Sequence, residues 1–260
     1  MKKIDTHIHT RFSLDSEENP EHYILKALEL GLDEICFTDH YDVAYPGADF
    51  TMNIPEYMAH MTSLQKKYQN QLKIYIGIEM GLDPIHKDEI ELLLKKYPFD
   101  FVIGSIHAIG HQEFFQGDYF RGKTKHEAHD KYFKQCLECV KTFDCFDVFG
   151  HYDYIERYGI YDDNSVDTDS HWEIIDEFLK LIIAKDKGLE VNTSGFRLRQ
   201  ESFPKRRILK RYHALGGTKI TIGSDSHSVD TLGGHIDEVI AMLKDIGFDT
   251  VGLDSMRKYK

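Results

Sequence analysis

Near the start of the chain, the run Lys3-Ile4-Asp5-Thr6-His7-Ile8-His9 joins a short β-branched segment directly to two histidines. Short runs rich in β-branched and aromatic residues are typical of buried strands in parallel sheets. Similar runs recur and predict strands at residues 3–6, 34–38, 73–79, 99–105, 146–150, 189–193 and 219–223. Their repetition predicts an α/β protein with one parallel sheet.

Helical patterns separate the predicted strands. They predict helices at residues 20–30, 54–70, 87–96, 125–141, 170–187, 205–215 and 235–246. Right-handed crossovers would close seven such units into a barrel that is one unit short of eight, although an open doubly wound sheet has the same local pattern. Because no Pro-rich or Ser-rich linker interrupts the sequence, we expect a single domain spanning residues 1–260.

Composition narrows the possible partners. The 260 residues include 32 Lys and Arg against 44 Asp and Glu, a formal net charge of −12. This balance argues against a nucleic-acid or anionic-membrane binder. No apolar stretch approaches the roughly 20 residues that span a bilayer, and no signal peptide is evident, so a cytoplasmic location is expected. The oligomeric state stays open.

Cysteine usage fits the same compartment. Four cysteines are too few for a disulfide scaffold in a chain of 260 residues. Cys136 and Cys139 have the spacing of a redox pair or of half a zinc site, but they fall inside a predicted helix. No second cysteine pair accompanies them. We therefore expect them to be packing residues.

Side chains able to bind metals follow six of the seven predicted strands, and the sixth strand ends in Asn192 instead. The carboxyl ends of parallel strands meet on one face of the fold. A lone histidine is usually a packing or surface residue, but unrelated residues would not recur at the same end of successive strands. The sequence therefore predicts a shared metal site. Its nine candidate ligands are His7, His9, Asp15, His40, Glu79, His107, His151, Asp225 and His227.

Nine ligands are too many for one ion of four- to six-fold coordination. They suit two ions with some residues left outside the coordination, or three ions with three to four protein ligands each. Because no cysteine belongs to the set, zinc, manganese or iron(II) is favoured. His111 follows His107 closely enough to reach the site, whereas the remaining histidines fall in or beside predicted helices.

Six short motifs carry a family resemblance. They are Asp5-Thr6-His7-Ile8-His9-Thr10, Thr38-Asp39-His40, the strand ending at Glu79, Ser105-Ile106-His107, Gly150-His151 with Asp153, and Ser224-Asp225 with His227. In this order, and over nearly the whole chain, they resemble the polymerase and histidinol phosphatase (PHP) family. Residues 190–197 resemble its histidinol-phosphate phosphatase branch. The resemblance implies a distorted (β/α)7 TIM-like barrel, a trinuclear metal centre and hydrolysis of L-histidinol phosphate in histidine biosynthesis.

The resemblance also implies how the ligands are shared. One ion would take His7, His9, Glu79 and Asp225. A second would share Glu79 and add His107 and His151. A third would take Asp15, His40 and His227, although some relatives have histidine at the position of Asp15. Asp39 and Asp153, which neighbour ligand histidines, would either support them or be polar core residues.

The expected reaction is in-line attack by a hydroxide that bridges the first two ions, with no covalent enzyme intermediate. We predict Glu79, Asp225 and His227 as catalytic, with Asp225 or a histidine protonating the leaving alkoxide. Arg197 is the first candidate for binding the phosphate monoester, ahead of Arg157 and Arg11, and surface arginines are the alternative. Loop aromatics could stack on an imidazole or simply pack: Tyr41, Tyr45, Phe114, Phe115, Tyr119 and Phe120.

Three other functions compete with this one. The nearest is a PHP-type phosphoesterase that acts on nucleotides or another small phosphate ester. An amidohydrolase-like enzyme often uses a carbamylated lysine as the bridging ligand, whereas here the bridging position holds Glu79. A non-catalytic metal-binding module would be expected to lack some ligands, yet all nine positions carry metal-competent side chains.

Overall fold

The computed structural model describes residues 1–249 and 252–253. Its strands are β1 Ile4–Ile8, β2 Glu34–Phe37, β3 His40–Tyr41, β4 Lys73–Gly81, β5 Phe101–Ser105, β6 Ala108–Ile109, β7 Gln112–Glu113, β8 Val148–Phe149, β9 Gly188–Asn192 and β10 Ile220–Gly223. All seven predicted strands are present, with ends that differ by a few residues. They form one parallel sheet in the chain order β1-β2-β4-β5-β8-β9-β10.

The two edges of this sheet approach each other. Beyond the end of β10, Ser226 forms a parallel bridge to Ile8 of β1. The His9 amide donates to the Ser226 carbonyl at 2.8 Å, and the Ser226 amide donates to the His7 carbonyl at 3.2 Å. The sheet is thus nearly closed, and the predicted single-domain, distorted (β/α)7 TIM-like barrel is confirmed over the open-sheet alternative.

Helices cover the outside of the sheet. They are α1 Pro20–Leu30, α2 Ile54–Tyr68, α3 Lys87–Lys96, α4 Lys125–Thr142, α5 Thr168–Ala184, α6 Ser194–Arg199, α7 Arg206–Ala214 and α8 Ile236–Ile246. The first begins where Asn19 accepts a hydrogen bond from the Glu21 amide, and it ends at Gly31, whose φ of 66° is left-handed. Seven of the eight correspond to predicted helices, and α6 is additional.

The core lies between the sheet and the helices. Isoleucine, valine and phenylalanine side chains of the strands are almost fully buried there, and each buried side chain of this size contributes roughly 1.5–3 kcal/mol. Cys136 and Cys139 belong to this core on α4, and burial raises the pKa of both thiols. Within the described residues, no helix combines the length and apolar character needed to cross a bilayer.

Two small elements that the sequence did not predict border the carboxyl ends of the strands. The two-residue strand β3 pairs with β4 in parallel, opposite Glu79 and Met80. The hairpin of β6 and β7 follows β5, and His111 lies exposed at its turn with a φ of 61°. These elements bring side chains from outside the main strands to the same face.

Candidate metal centre

Glu79 lies at the centre of the candidate ligands, buried near the carboxyl end of β4. Its Oε1 is 3.2 Å from His107 Nε2 and 3.0 Å from His151 Nε2. Its Oε2 is 3.2 Å from His7 Nε2 and 2.8 Å from His40 Nδ1. The single carboxylate therefore faces histidines from four different segments of the chain.

Asp225 approaches from the opposite side of the barrel, beyond β10. Its Oδ1 is 3.4 Å from His9 Nε2 and 3.8 Å from His7 Nε2. His9 Nε2 is also 3.5 Å from Glu79 Oε2. Two carboxylates and two imidazoles thus converge on one small volume, which is the arrangement that a bound cation requires.

The remaining candidates lie nearer to solvent. The Asp15 Oδ2 atom is 3.2 Å from His227 Nε2 and 3.6 Å from His40 Nε2. The His9 ring stacks against both His40 and His227, with centroids 4.1 and 4.2 Å away. Because the Asp15 side chain is 42% exposed, this corner forms the open edge of the cluster.

The local backbone explains how two of these side chains turn inward. His151 has a φ of 25° and Asp225 a φ of 55°, both in the left-handed region that ordinary residues rarely adopt. Each lies two residues beyond the last residue of a strand. In this conformation the His151 ring lies 3.0 Å from Glu79 and the Asp225 carboxylate lies 3.4 Å from His9, and such backbone strain persists only where the surroundings hold it.

Several polar atoms of the cluster suit a cation. Among the described residues, His7 Nε2, His9 Nε2, His40 Nδ1 and Glu79 Oε2 are buried without a partner in hydrogen-bond geometry. An unpaired polar group costs roughly 1–3 kcal/mol when buried. Imidazole nitrogens and carboxylate oxygens that point at shared positions, with no thiolate among them, fit zinc, manganese or iron(II).

The charges favour the same interpretation. Burial would raise the pKa of Glu79, but the neighbouring histidines hold it well below its usual value. Burial, reinforced by His40 and His227, lowers the pKa of His9 well below its ordinary value. The carboxylate is therefore ionised and the His9 ring is neutral, as metal binding needs. Against the effect of burial, neighbouring carboxylates raise the pKa of His7 and His107 well above the ordinary value, so these two rings would release a proton when a cation binds.

Two acids that the sequence interpretation missed support ligand histidines. Asp42 Oδ1 lies 2.9 Å from His107 Nδ1, and Glu190 Oε1 lies 2.5 Å from His7 Nδ1. Both acids could have been found from the sequence, because alternate residues of a strand point to the same face. Asp42 follows His40 by two positions, and Glu190 is a lone charge within the buried run of β9.

Asp39 and Asp153, whose roles the sequence left open, have different hydrogen-bond partners. Asp39 Oδ1 accepts a hydrogen bond from Ser13 Oγ at 2.8 Å, and that hydroxyl is 3.2 Å from His9 Nδ1. Burial raises the pKa of Asp39 to about 6. Asp153 instead accepts the amide hydrogen of Lys205 at 3.0 Å, which belongs to the packing of the loop before α7.

The three predicted phosphate-binding arginines have different surroundings. Arg157 Nη1 is 3.5 Å from Asp225 Oδ2, and its guanidinium lies over the rings of Tyr154 and Tyr158, 5.3 Å from each centroid. Arg197 donates to the backbone carbonyls of Ser224 and Asp225, at 3.0 and 3.2 Å.

Arg11, the third candidate, is exposed, and its guanidinium lies over the Phe12 ring at 5.7 Å. Within residues 1–249, no hydrogen bond or ion pair joins its side chain to the cluster. The structure therefore brings Arg157 to the candidate ligands, holds Arg197 against the backbone beside them, and leaves Arg11 outside.

A cleft of about 310 Å³ opens beside the cluster. His40, His107 and Asp15 form its floor, and the aromatic wall includes Tyr45, Phe50, Phe115 and Tyr158. Asp42 and Glu113 add carboxylates to the lining. Of the other loop aromatics considered from the sequence, Phe114 also lines the cleft, Tyr119 and Phe120 are buried in the core, and Tyr41 packs elsewhere on the surface.

Comparison with known proteins gives consistent matches. The family model described as PHP domain matches residues 5–194. A histidinol-phosphatase of Lactococcus lactis is 41% identical over 249 residues, covering 95% of this chain and 93% of that protein. A probable histidinol-phosphatase of Clostridium acetobutylicum is 33% identical over 249 residues and covers 95% of both. The crystal structure of Lactococcus lactis histidinol phosphate phosphatase with zinc, L-histidinol and phosphate has a TM-score of 0.91 at 41% identity, covering 96% of this chain and 95% of that one.

Proposed function

The chain belongs to the PHP domain family, and on this basis we propose that it is a metal-dependent phosphatase that hydrolyses L-histidinol phosphate to L-histidinol and phosphate. The relative with 41% identity over nearly the full length supports this substrate, because its structure contains zinc, histidinol and phosphate. The observation that carries the proposal is the convergence of buried imidazoles and carboxylates on Glu79, beside an open cleft.

We propose that the nine candidate residues hold three divalent ions. His7, His9 and Glu79 lie close enough together to hold one ion, with Asp225 beside them. Glu79, His107 and His151 form a second group of this kind. His40 and His227 form a third group with His9, and Asp15 lies beside His227. Zinc is the first ion to test because the Lactococcus lactis relative binds it, and manganese and iron are the alternatives.

Ions bound in such sites make water a nucleophile near neutral pH and offset the negative charge of a phosphate monoester. The chain's own groups complete the chemistry. Asp225 is ionised, because the charges of His7 and His227 overcome the effect of burial and hold its pKa well below the usual value. An ionised Asp225 is an anionic ligand for a cation, and we propose that Asp225 or a histidine beside the ions supplies the proton that the leaving alkoxide needs.

Arg157 is the better placed of the arginines to bind phosphate. Its guanidinium is oriented by two tyrosine rings and lies next to Asp225, where two equatorial phosphate oxygens could accept its hydrogen bonds. Arg197 stays a candidate, although backbone carbonyls already occupy two of its nitrogens. The exposed position of Arg11 gives that residue no support.

The cleft suits the organic part of the substrate. L-histidinol phosphate carries an ammonium group and an imidazole beyond its phosphate, so its leaving group is cationic and aromatic. Tyr45, Phe50 and Phe115 offer ring faces and edges, and Asp42 and Glu113 offer negative charge. A nucleotide would bring further negative charge towards these carboxylates. The cleft therefore favours the histidinol ester over the nucleotide alternative.

Steady-state kinetics of the zinc-loaded protein tests the proposal. We expect kcat/KM for L-histidinol phosphate to exceed that for adenosine 5′-monophosphate and for phenyl phosphate by at least about 100-fold, since both lack the cationic leaving group. Removal of metal should abolish all three activities. Comparable rates on the nucleotide and on histidinol phosphate would contradict the assignment, as would hydrolysis that survives chelation.

The cellular setting of the enzyme stays a prediction. Histidine biosynthesis is the pathway that this reaction would serve, and a cytoplasmic location fits a biosynthetic enzyme. We retain the single domain over residues 1–260 as a proposal, because its last residues lie outside the described part of the chain. Fractionation of the producing cells would test the location.

A further inference from the structure

Glu190 is a fully buried carboxylate on β9 that none of the candidate ligand groups includes. It lies behind the metal centre. His7 presents Nε2 to Glu79 and Asp225, and it presents the opposite ring atom, Nδ1, to Glu190. The Glu190 carboxylate therefore faces the side of the imidazole that points away from the proposed ions.

The contact with His7 fixes the state of that ring. Glu190 Oε1 lies 2.5 Å from His7 Nδ1, and an ionised carboxylate can only accept a hydrogen bond. The proton of the neutral ring must then sit on Nδ1, which leaves the lone pair of Nε2 free for a cation. A carboxylate in this position also orients the ring and makes it a more basic ligand.

The other oxygen of Glu190 reaches a second ligand. Glu190 Oε2 accepts the backbone N–H of His151 at 3.0 Å. This amide belongs to the turn in which His151 has a φ of 25°. A hydrogen bond at that point helps to hold a backbone conformation that an L-residue seldom adopts, so it helps to direct the imidazole towards Glu79, 3.0 Å away.

The surroundings hold the Glu190 side chain in place. Asn192 Nδ2 donates to Glu190 Oε2 at 3.2 Å. Gly223 on β10 packs directly against the contact, because a Cβ atom there would lie 2.4 Å from Glu190 Oε1 and 2.4 Å from His7 Cβ. Only a residue without a side chain leaves room for the carboxylate and the imidazole to meet.

We infer that Glu190 is a positioning residue of the metal centre, which sets the tautomer of His7 and fixes the turn that presents His151. This role rests on the proposed metal-dependent function. It joins ligands of two different ion sites through one side chain, since His7 and His151 belong to separate groups. The ligands nearest to solvent, Asp15, His40 and His227, make no contact with Glu190 among the described hydrogen bonds and ion pairs.

Zinc affinity measured by competition with a chelator tests this role. In Glu190→Ala we expect zinc binding at the sites of His7 and His151 to weaken by about 10–100-fold, the usual effect of removing such a partner. Glu190→Gln should lose less, because its carboxamide oxygen can still accept from His7 Nδ1–H. The matched control is Glu34→Gln, a carboxylate that is also buried but lies at the opposite end of β2. This control should keep wild-type zinc affinity.

A second measurement uses the wild-type protein, so it does not depend on whether a Glu190 variant folds. In nitrogen-15 NMR spectra of the zinc-loaded wild-type protein, His7 should carry its proton on Nδ1 and none on Nε2. The opposite tautomer would overturn the inference, and so would unchanged zinc affinity in both Glu190 variants. Hydrolysis by the wild type is measured separately. A protein that binds zinc in a Glu190-dependent way but does not hydrolyse L-histidinol phosphate would refute the proposed function and leave this role intact.

Discussion

Glu79 presents its two carboxylate oxygens to different sets of histidines. Oε1 faces His107 and His151, and Oε2 faces His7 and His40. No neighbouring residue on β4 could substitute for it, because alternate strand residues point to the other side of the sheet. At the scale of single residues, we therefore propose that the distribution of ions across the centre depends on this side chain.

The Glu79→Gln variant should therefore lose metal and activity. A carboxamide cannot serve as a charged bridge between two cations, so we expect at least one ion fewer per chain and a loss in kcat of about 100-fold or more. Elemental analysis and kinetics measure both effects, and circular dichroism should show a folded protein. Glu113→Gln is the matched control, since it removes a carboxylate from the cleft and should raise KM while metal content stays the same. Native metal content in Glu79→Gln would rule out the bridge.

The two arginines beside Asp225 should behave differently when removed. Arg157→Ala should leave metal content intact but lower kcat/KM and weaken inhibition by inorganic phosphate, by about 10–100-fold, because a desolvated charge pair with phosphate is lost. Arg197→Ala should reduce metal content as well, since its guanidinium ties down the backbone carbonyl of Asp225. Equal effects of both variants on phosphate inhibition, with metal intact, would contradict this division.

At the scale of elements, the strands and long helices could be predicted and the small connecting elements could not. Periodicity and caps located β1 and α1 well, and the two-residue spacing of His7 and His9 placed both rings on one side. Strand β3 is only two residues long, and its pairing with β4 depends on tertiary register. Asp42 was therefore missed, even though it orients His107.

The interface between α4 and α5 contains a buried histidine that should make stability depend on pH. His129 on α4 lies near His171 on α5, with ring centroids 6.3 Å apart. Burial, with the nearby charges of His171 and Lys125, lowers the pKa of His129 to about 3 from its ordinary 6.5. The unfolded chain therefore binds a proton between these pH values that the folded chain does not.

Because the unfolded state gains that proton, the free energy of unfolding should fall as the pH drops below about 6.5. The slope from this residue approaches 1.4 kcal/mol per pH unit until the pH nears 3. Urea unfolding between pH 7 and 4.5 should show a shallower pH dependence for His129→Asn than for wild type. His126→Asn, which changes an exposed histidine of the same helix, should keep the wild-type slope. Parallel wild-type and His129→Asn curves would refute the assignment.

On the scale of the whole molecule, we expect the fold not to depend on the ions. A continuous core of buried apolar side chains surrounds the sheet, and a chain of about this length buries enough surface to fold without metal. Ligands that bind only the folded state nevertheless stabilise it, by about 4 kcal/mol at 1,000 times the dissociation constant.

Chelation should consequently leave the far-ultraviolet circular dichroism spectrum almost unchanged and lower the melting temperature by several degrees. Adding zinc back should restore the melting temperature, with a rise that depends on zinc concentration. Differential scanning fluorimetry across a zinc titration measures this directly. Loss of secondary structure on chelation at 25 °C would instead mean that metal binding and folding are one process.

The sequence located the side of the molecule that carries the chemistry but not every contact within it. All nine candidate ligands lie near the carboxyl ends of strands or in the loops that follow them, where parallel topology predicts that they meet. No comparable rule predicts where a side chain points once the chain has left a strand. From the sequence, Arg197 was the first candidate for binding phosphate, ahead of Arg157. In the structure the Arg197 guanidinium donates to backbone carbonyls, whereas the Arg157 guanidinium faces the Asp225 carboxylate.

The walls of the cleft and the floor beneath it come from separate parts of the chain. Tyr45 and Phe50 precede α2, and Phe115 follows β7, whereas the histidines of the floor adjoin the main strands. Insertions or exchanges in those two loops could remodel the choice of leaving group without moving a single ligand. A descendant of this scaffold could thus acquire a new ester as its substrate while inheriting its hydrolytic apparatus intact.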